Sequence, residues 1–155
     1  MTSLIQFLIG DAAHPVGNGN KIIAHVCNDG GRWGNGFMLA LSKRWRRPRD
    51  EFLLLHSRRA LRLGAVQLVR VEKNIWVANL IAQRGTVADG VNPIRYDALL
   101  ECIKQLGLQA HQRQASLHLP RSGGNLASGN WEKVERLLTD WLPGTQIYVY
   151  DPPAT

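Results

Sequence analysis

Apolar residues along the chain fall into two spacings, and the alternation between them lays out the fold. Leu4–Ile9 and Lys21–Cys27 are short runs rich in Leu, Ile and Val that stop at polar residues and turn formers, which predicts buried strands. Behind the glycine-rich stretch Gly30–Gly36 the spacing changes. Phe37, Leu41 and Trp45 recur four apart, predicting a helix directly after the glycines, ended by Pro48. Glu51–Leu63 reads as a second helix with Gly64 at its C-terminal stop, followed by strands at Ala65–Val71 and Ile75–Ala82. Asn92-Pro93 marks a turn, after which Leu99, Cys102, Ile103 and Leu106 form a helical stripe whose continuation to Gln114 is interrupted by Gly107. Ser116–Leu119 is a short strand running into Pro120 and a second glycine-rich loop, Ser122–Gly129. Asn130 then caps a helix with Trp131, Val134, Leu138 and Trp141 on its buried face, stopped by Pro143-Gly144, and Gln146–Tyr150 is the last strand.

Strands alternating with helices predict an α/β sheet covered on both faces, with ligands taken at the carboxyl ends of the strands. Both glycine-rich loops join a strand to a helix. Their backbone N–H groups and the helix N-termini can therefore face an anion together, and two such loops suit a diphosphate. Each loop alone is a weak sign: Trp33-Gly34-Asn35-Gly36 has neither the Rossmann glycine spacing nor the Lys-Ser/Thr ending of a P-loop. It and Ser122-Gly123-Gly124-Asn125-Leu126 are equally compatible with tight turns. Gly10-Asp11 leaves a carboxylate where the first strand ends, fit either to cap a turn or to accept a hydrogen bond from an exocyclic amine.

Composition narrows the class. A chain of 155 residues, 45% hydrophobic and 20% charged, suits one globular domain spanning 1–155. It lacks an apolar stretch long enough to cross a bilayer, and Met1–Gly10 lacks the features of a signal peptide, so a cytoplasmic, monomeric protein without membrane contact is expected. Cys27 and Cys102 have no metal-ligand spacing and read as reduced thiols, so neither metal nor cofactor is expected. The net charge of +7 should draw anions to the surface. Much of it lies in Lys43–Arg49 and Arg58–Arg62, read as a solvated helical face, with a nucleic-acid surface as the lesser alternative.

Several motifs then line up in order: Gly10-Asp11; His25-x-Cys27-Asn28 with Gly31-x-Trp33-Gly34-x-Gly36; Asn79-Leu80-Ile81-Ala82-Gln83; Leu119-Pro120-Arg121-x-Gly123; Asn130-Trp131; and Tyr148-Val149-Tyr150. Together, from about Ile5 to Tyr150, the chain resembles a macrodomain, of the branch containing the fungal ADP-ribose-1″-phosphate phosphatase and the terminal ADP-ribose protein glycohydrolase. The resemblance implies a three-layer α/β/α fold with a central mixed sheet of about six strands and a cleft for ADP-ribose or an ADP-ribosylated substrate. By position, Asp11 would bind the adenine amine with Ala12 beside it, and Asn28 would face the distal ribose. Gly34, Asn35, Gly36 and Phe37 would line that ribose and the phosphates. Arg121, Ser122, Gly123, Gly124, Asn125, Leu126 and Ala127 would wrap the diphosphate, and Tyr150 to Pro152 would close the adenine pocket.

The same resemblance bears on catalysis. Glycohydrolases of this branch use a lysine and an aspartate at positions matching Gln83 and Ala127 here, and neither replacement can form a lysyl intermediate or act as a base. Arg84 is no substitute, since a guanidinium stays protonated. His25 matches a histidine shared with the phosphatases, and the unperturbed pKa of histidine suits proton transfer near neutrality, yet it sits in an apolar strand where a buried structural histidine is the plainer reading. Asn28 and Asn35 are expected to orient an attacking water. Three functions stay open: a phosphatase or ADP-ribosyl hydrolase, a binding module without turnover, and a nucleic-acid-binding protein.

Overall fold

A computed structural model describes residues 4–85, 94–121 and 130–153. Six strands and four helices occur among them: β1 (Leu4–Ile9), β2 (Lys21–Asn28), α1 (Gly36–Arg44), α2 (Arg47–Ser57), β3 (Val66–Glu72), β4 (Ile75–Gln83), α3 (Tyr96–Arg113), β5 (Ser116–Pro120), α4 (Trp131–Trp141) and β6 (Gln146–Asp151). The strands form one mixed sheet in the order β1-β6-β5-β2-β4-β3, with only the β3–β4 pair antiparallel. Five carboxyl ends therefore share one rim, ending in Ile9, Asp151, Pro120, Asn28 and Gln83. None of the described helices is long and apolar enough to cross a membrane.

Alternation along β2 and β4 sorts side chains into two cores. Ile22, Ala24, Val26, Ala78 and Leu80 pack with Leu99, Cys102, Ile103 and Leu106 of α3 and with Val134 and Leu138 of α4. On the opposite face, Ile23 and Val77 pack with Phe37 and Leu41 of α1, and Cys27 and Ile81 with Met38 and Phe52. Central strands buried on both faces favour apolar residues on both, which is why β2 reads as a near-continuous apolar run, broken by His25, and not an alternating one.

Several boundaries differ from the sequence reading, each for a local reason. Pro48 does not end the first helix; it lies in the first turn of α2, where its missing N–H is no loss and its fixed φ favours the helix. That second helix accordingly starts at Arg47 and ends at Ser57, six residues short of Leu63. Gly107 does not interrupt α3, which runs to Arg113. A Cβ at Gly107 would lie 2.8 Å from Leu142 Cδ2, so the glycine lets the chain after α4 press against the helix. Trp141 is not buried but 46% exposed, with Lys104 Nζ 4.8 Å from its ring centroid.

Candidate functional site

The rim where the parallel strands end holds a cleft of about 390 Å³. Gly10, Asp11, Ala12, Gly36, Phe37, Ala40, Pro120, Tyr150, Pro152 and Pro153 line it. It therefore brings together six positions singled out from sequence: Asp11, Ala12, Gly36, Phe37, Tyr150 and Pro152. Its floor is apolar, with Ala12, Phe37 and Tyr150 all buried. A carboxylate stands at one lip and a helix N-terminus at the other.

That helix terminus is built by Asn35. Its extended backbone starts α1 and its Oδ1 accepts the Met38 N–H at 2.8 Å. Gly36 and Phe37, the first two helical residues, have N–H groups without an intrahelical acceptor, and the helix dipole adds partial positive charge there. Gly34 and Gly36 have ordinary negative φ, and a Cβ on either would meet nothing within 4 Å. The protein's own packing does not require glycine at these two positions; their bareness keeps the main chain open to the cleft.

Asp11 splits its carboxylate between two tasks. Oδ1 accepts the Ala13 N–H at 2.8 Å, fixing the turn, while Oδ2 lies 3.3 Å from His14 Nδ1 and remains about half exposed at the cleft mouth. Tyr150, under the floor, accepts the Val16 N–H at 3.0 Å on its hydroxyl, which lies 2.7 Å from His118 Nδ1. His118 Nε2 in turn lies 2.8 Å from Ser116 Oγ. Burial first, and the charge of Lys21 second, hold His118 down to about 4, so its ring is neutral at pH 7.

His25 lies in the core and not on the cleft wall. It has no solvent exposure and packs edge-on against Trp33 and Phe37 with ring centroids 5.4 and 5.5 Å away. Asn79 donates its amide to Pro48 O and Gln67 Oε1, which leaves Asn79 Oδ1 to accept the His25 Nε2–H at 2.7 Å. Gln67 closes the series by donating to Glu51 O at 2.9 Å. This hydrogen-bonded chain stitches β2, β4 and β3 to α2 and fixes the histidine tautomer. Desolvation outweighs the Asn79 bond and lowers the His25 pKa to about 4.

Asn28 is likewise occupied. Its Oδ1 accepts the N–H groups of Gly30 and Arg32 at 3.1 and 2.9 Å, and its amide donates to Arg32 O at 2.7 Å, so it shapes the turn that leads to Gly34. Gly31 within that turn has φ of +74° and is pressed against His56, where a Cβ would lie 2.3 Å from Cγ. Arg121 turns away from the cleft: its guanidinium grips the Asp151 carboxylate and sits 5.4 and 5.5 Å from the ring centroids of Phe7 and Trp131. Ser122, Gly123, Gly124, Asn125, Leu126 and Ala127 lie outside the described residues, but the strand that leads into them ends at Pro120, on the cleft wall.

At the β2–β4 corner of the rim, Gln83 is buried, pairs in register with Asn28 and donates its amide to Gly85 O at 2.8 Å, while its Oε1 has no partner. The Asn35 Nδ2 is also buried and without a partner. Each is costly to leave unmatched in a buried setting; neither residue lines the cleft itself, though Asn35 directly precedes Gly36 on its wall. Sequence reasoning missed Asp29, whose N–H donates to Gln83 O at 2.9 Å and whose Oδ1 accepts the Gly85 N–H at 3.0 Å. The signal was available, since Asp29 follows directly on a buried strand that ends at this rim.

No protein-family model matches the chain. Among solved structures, a macrodomain protein from Streptomyces coelicolor is 44% identical, with a TM-score of 0.84, covering 95% of this chain and 98% of that one. The chain belongs to the macrodomain family. This macrodomain is also 34% identical over 159 residues to the chromodomain-helicase-DNA-binding protein 1-like of Danio rerio, matching 94% of its own length but only 16% of that much longer protein. The fold likeness extends to Thermosipho africanus DarTG, solved in complex with ADP-ribose, at a TM-score of 0.67, 16% identity and coverage of 86% of this chain and 38% of that one.

A second hollow, about 830 Å³, lies at the opposite pole of the macrodomain. It is the larger of the two, lined by Val16 to Asn20, Ala110, Gln114, Ser116 and Thr145 among others. It receives the amino ends of β5 and β6 and, although Tyr148 lies on its wall, holds none of the residues assigned by sequence to ligand binding or catalysis. The smaller cleft is the better candidate, because among the described residues only there do carboxyl ends of strands, a capped helix N-terminus and an apolar floor converge.

Proposed function

We propose that this macrodomain binds ADP-ribose, or a close derivative, in the 390 Å³ cleft and hydrolyses a bond at the distal ribose. The observation that carries the binding reading is the polarity of the cleft. An apolar slot over Phe37 and Tyr150 suits a purine base, and Asp11 Oδ2 at its lip suits the exocyclic amine. The other lip offers the Gly36 and Phe37 N–H groups to a diphosphate, and the glycine keeps side-chain bulk away from the first of them, since even a Cβ there would meet nothing within 4 Å. A macrodomain fold solved with ADP-ribose in another protein supports the same reading.

Thermal unfolding tests it. Millimolar ADP-ribose should raise the melting temperature, while AMP and ribose 5-phosphate, each filling half of the cleft, should not. Absence of a shift with ADP-ribose overturns the binding reading.

Turnover is the finer claim. His25 is sealed, neutral and engaged with Asn79, so we assign it to holding the cleft wall in place. The exposed edge of the β2–β4 corner carries Asp29, a carboxylate able to accept a proton from water, beside the unmatched Gln83 oxygen. ADP-ribose-1″-phosphate should release phosphate slowly, and Asp29→Asn should abolish release while ADP-ribose still binds. If the wild-type protein binds but releases nothing from this substrate or from an ADP-ribosyl ester, the binding-module reading takes its place.

A further inference from the structure

The chain's net charge is confined to one quarter of the molecule. Ten of its 19 lysines and arginines and three of its 12 acidic residues lie between positions 43 and 73, so this segment carries the whole +7 and the rest of the chain is neutral. The three acids are each taken: Glu72 by Arg44 at 3.1 Å, Asp50 by Arg49 at 3.2 Å and Glu51 by Arg47 at 3.8 Å. Lys43, Arg46, Arg58, Arg59, Arg62, Arg70 and Lys73 are all exposed and have no acidic partner among the described residues.

The fold sets six of these cations in two groups at the two ends of α2, while the Arg70 guanidinium bonds Glu72 O and Lys73 O and lies 5.2 Å from the Trp76 ring centroid, on the α3 face of the sheet. Arg47 reaches Arg70 O at 3.2 Å, which brings the start of α2 to the end of β3, alongside Lys43, Arg46 and Lys73. Arg58, Arg59 and Arg62 follow the other end of α2, where Gly64 bonds Ile81 near the carboxyl end of β4. Eleven helical residues separate the groups by about 16 Å, the span of about five phosphates on one strand of a duplex. Trp45 in this face is partly buried with its Nε1 bonded to Glu72, and Trp76 is covered by the Arg70 and Arg113 guanidiniums, 5.2 and 5.3 Å from its ring centroid. A row of bases would find no stacking platform there, whereas a phosphate backbone needs none.

We infer that the α2–β3 side of the macrodomain is a binding face for double-stranded nucleic acid, read through its phosphates without regard to sequence and separate from the ADP-ribose cleft. Two groups of uncompensated arginines at this spacing match a duplex backbone, and the inference does not depend on what the cleft binds.

The test is fluorescence anisotropy of the full chain with a labelled 20-base-pair DNA duplex of mixed sequence, between 50 and 300 mM KCl. Four to six phosphate contacts should give a slope of log Kd against log salt of about 4 to 5. Arg58→Glu with Arg62→Glu, and separately Lys43→Glu with Arg46→Glu, should each weaken binding at least about tenfold and flatten the slope by about 2. Lys133→Glu with Arg136→Glu, on α4, should leave both unchanged, and all three variants should keep the wild-type melting temperature. No binding at 50 mM KCl overturns the assignment. So does an equal loss in the α4 variant, which would mean diffuse attraction, or equal competition by polyglutamate at matched charge, which would mean a face for acidic proteins.

Discussion

The two sealed histidines make acid stability a sensitive probe of this core. His25 and His118 are both held down to about 4, chiefly by burial, while an unfolded chain binds the same protons near 6.5. Since the folded values are the lower ones, the unfolded state takes up more protons between the two. Stability is complete above about 6.5 and is lost as pH falls through that window. Between pH 7 and 5 the linkage amounts to about 2 kcal/mol for each histidine, or about 4 kcal/mol together, a large share of the typical stability of a domain this size. Carboxylates add little above pH 5, so the interval isolates the histidines. Urea unfolding at half-unit steps from pH 7 to 5 measures it, with the slope reporting an uptake of nearly two protons at its acid end. His118→Gln should remove about half of the slope, because Ser116 and the Tyr150 hydroxyl remain but the titrating ring is gone. A wild-type change below about 1 kcal/mol, or an unaltered slope in the variant, would mean that burial does not hold the two rings neutral.

Other outcomes follow from single contacts. Gly36→Glu places a carboxylate at the first turn of α1, where the dipole favours it, so stability should hold or rise slightly while ADP-ribose affinity falls by roughly 100-fold or more; calorimetry and thermal melts read both. Gly31→Ala combines a left-handed backbone with a collision against His56, and should cost at least about 2 kcal/mol in urea unfolding. Phe52→Ala empties the contact among Trp33, Met38 and Ile81 and should cost about 3–5 kcal/mol by the same assay. Burial raises the thiol pKa of Cys27 and lifts that of Cys102 to about 12, so neither should react with a disulfide reagent at pH 8 until the protein is unfolded; a fast native reaction would contradict the packing.

Legibility in the sequence tracked how local each determinant is. β2 was readable because burial on both faces fills Ile22 to Cys27 with apolar residues around the one His25, whereas Leu4–Ile9, read as a buried strand, is the sheet edge with Leu4, Phe7 and Ile9 exposed; the lip of α1 was readable because Asn35 and its glycines sit together in the chain. Pro48 was misplaced, since a proline that stops one helix and a proline that starts the next differ only in the geometry of the Trp45–Arg46 link. Gly107 looked like a break because its reason, Leu142, lies 35 positions away. Burial of His25 was legible, but its partner Asn79 and the turn of Gly30 and Arg32 that occupies Asn28 were not, for a related cause: both are fixed by register and backbone path. Periodicity reports which face a residue takes and says nothing of what it bonds there.

The central claim is that a pyrophosphate sits on the N-terminus of α1 with its base over Tyr150. Amide chemical shifts during an ADP-ribose titration test this residue by residue. The largest perturbations should fall at Gly36, Phe37 and Ala12 and saturate together. Shifts concentrated at Gly17 to Asn20, around the hollow of the opposite pole, would contradict it.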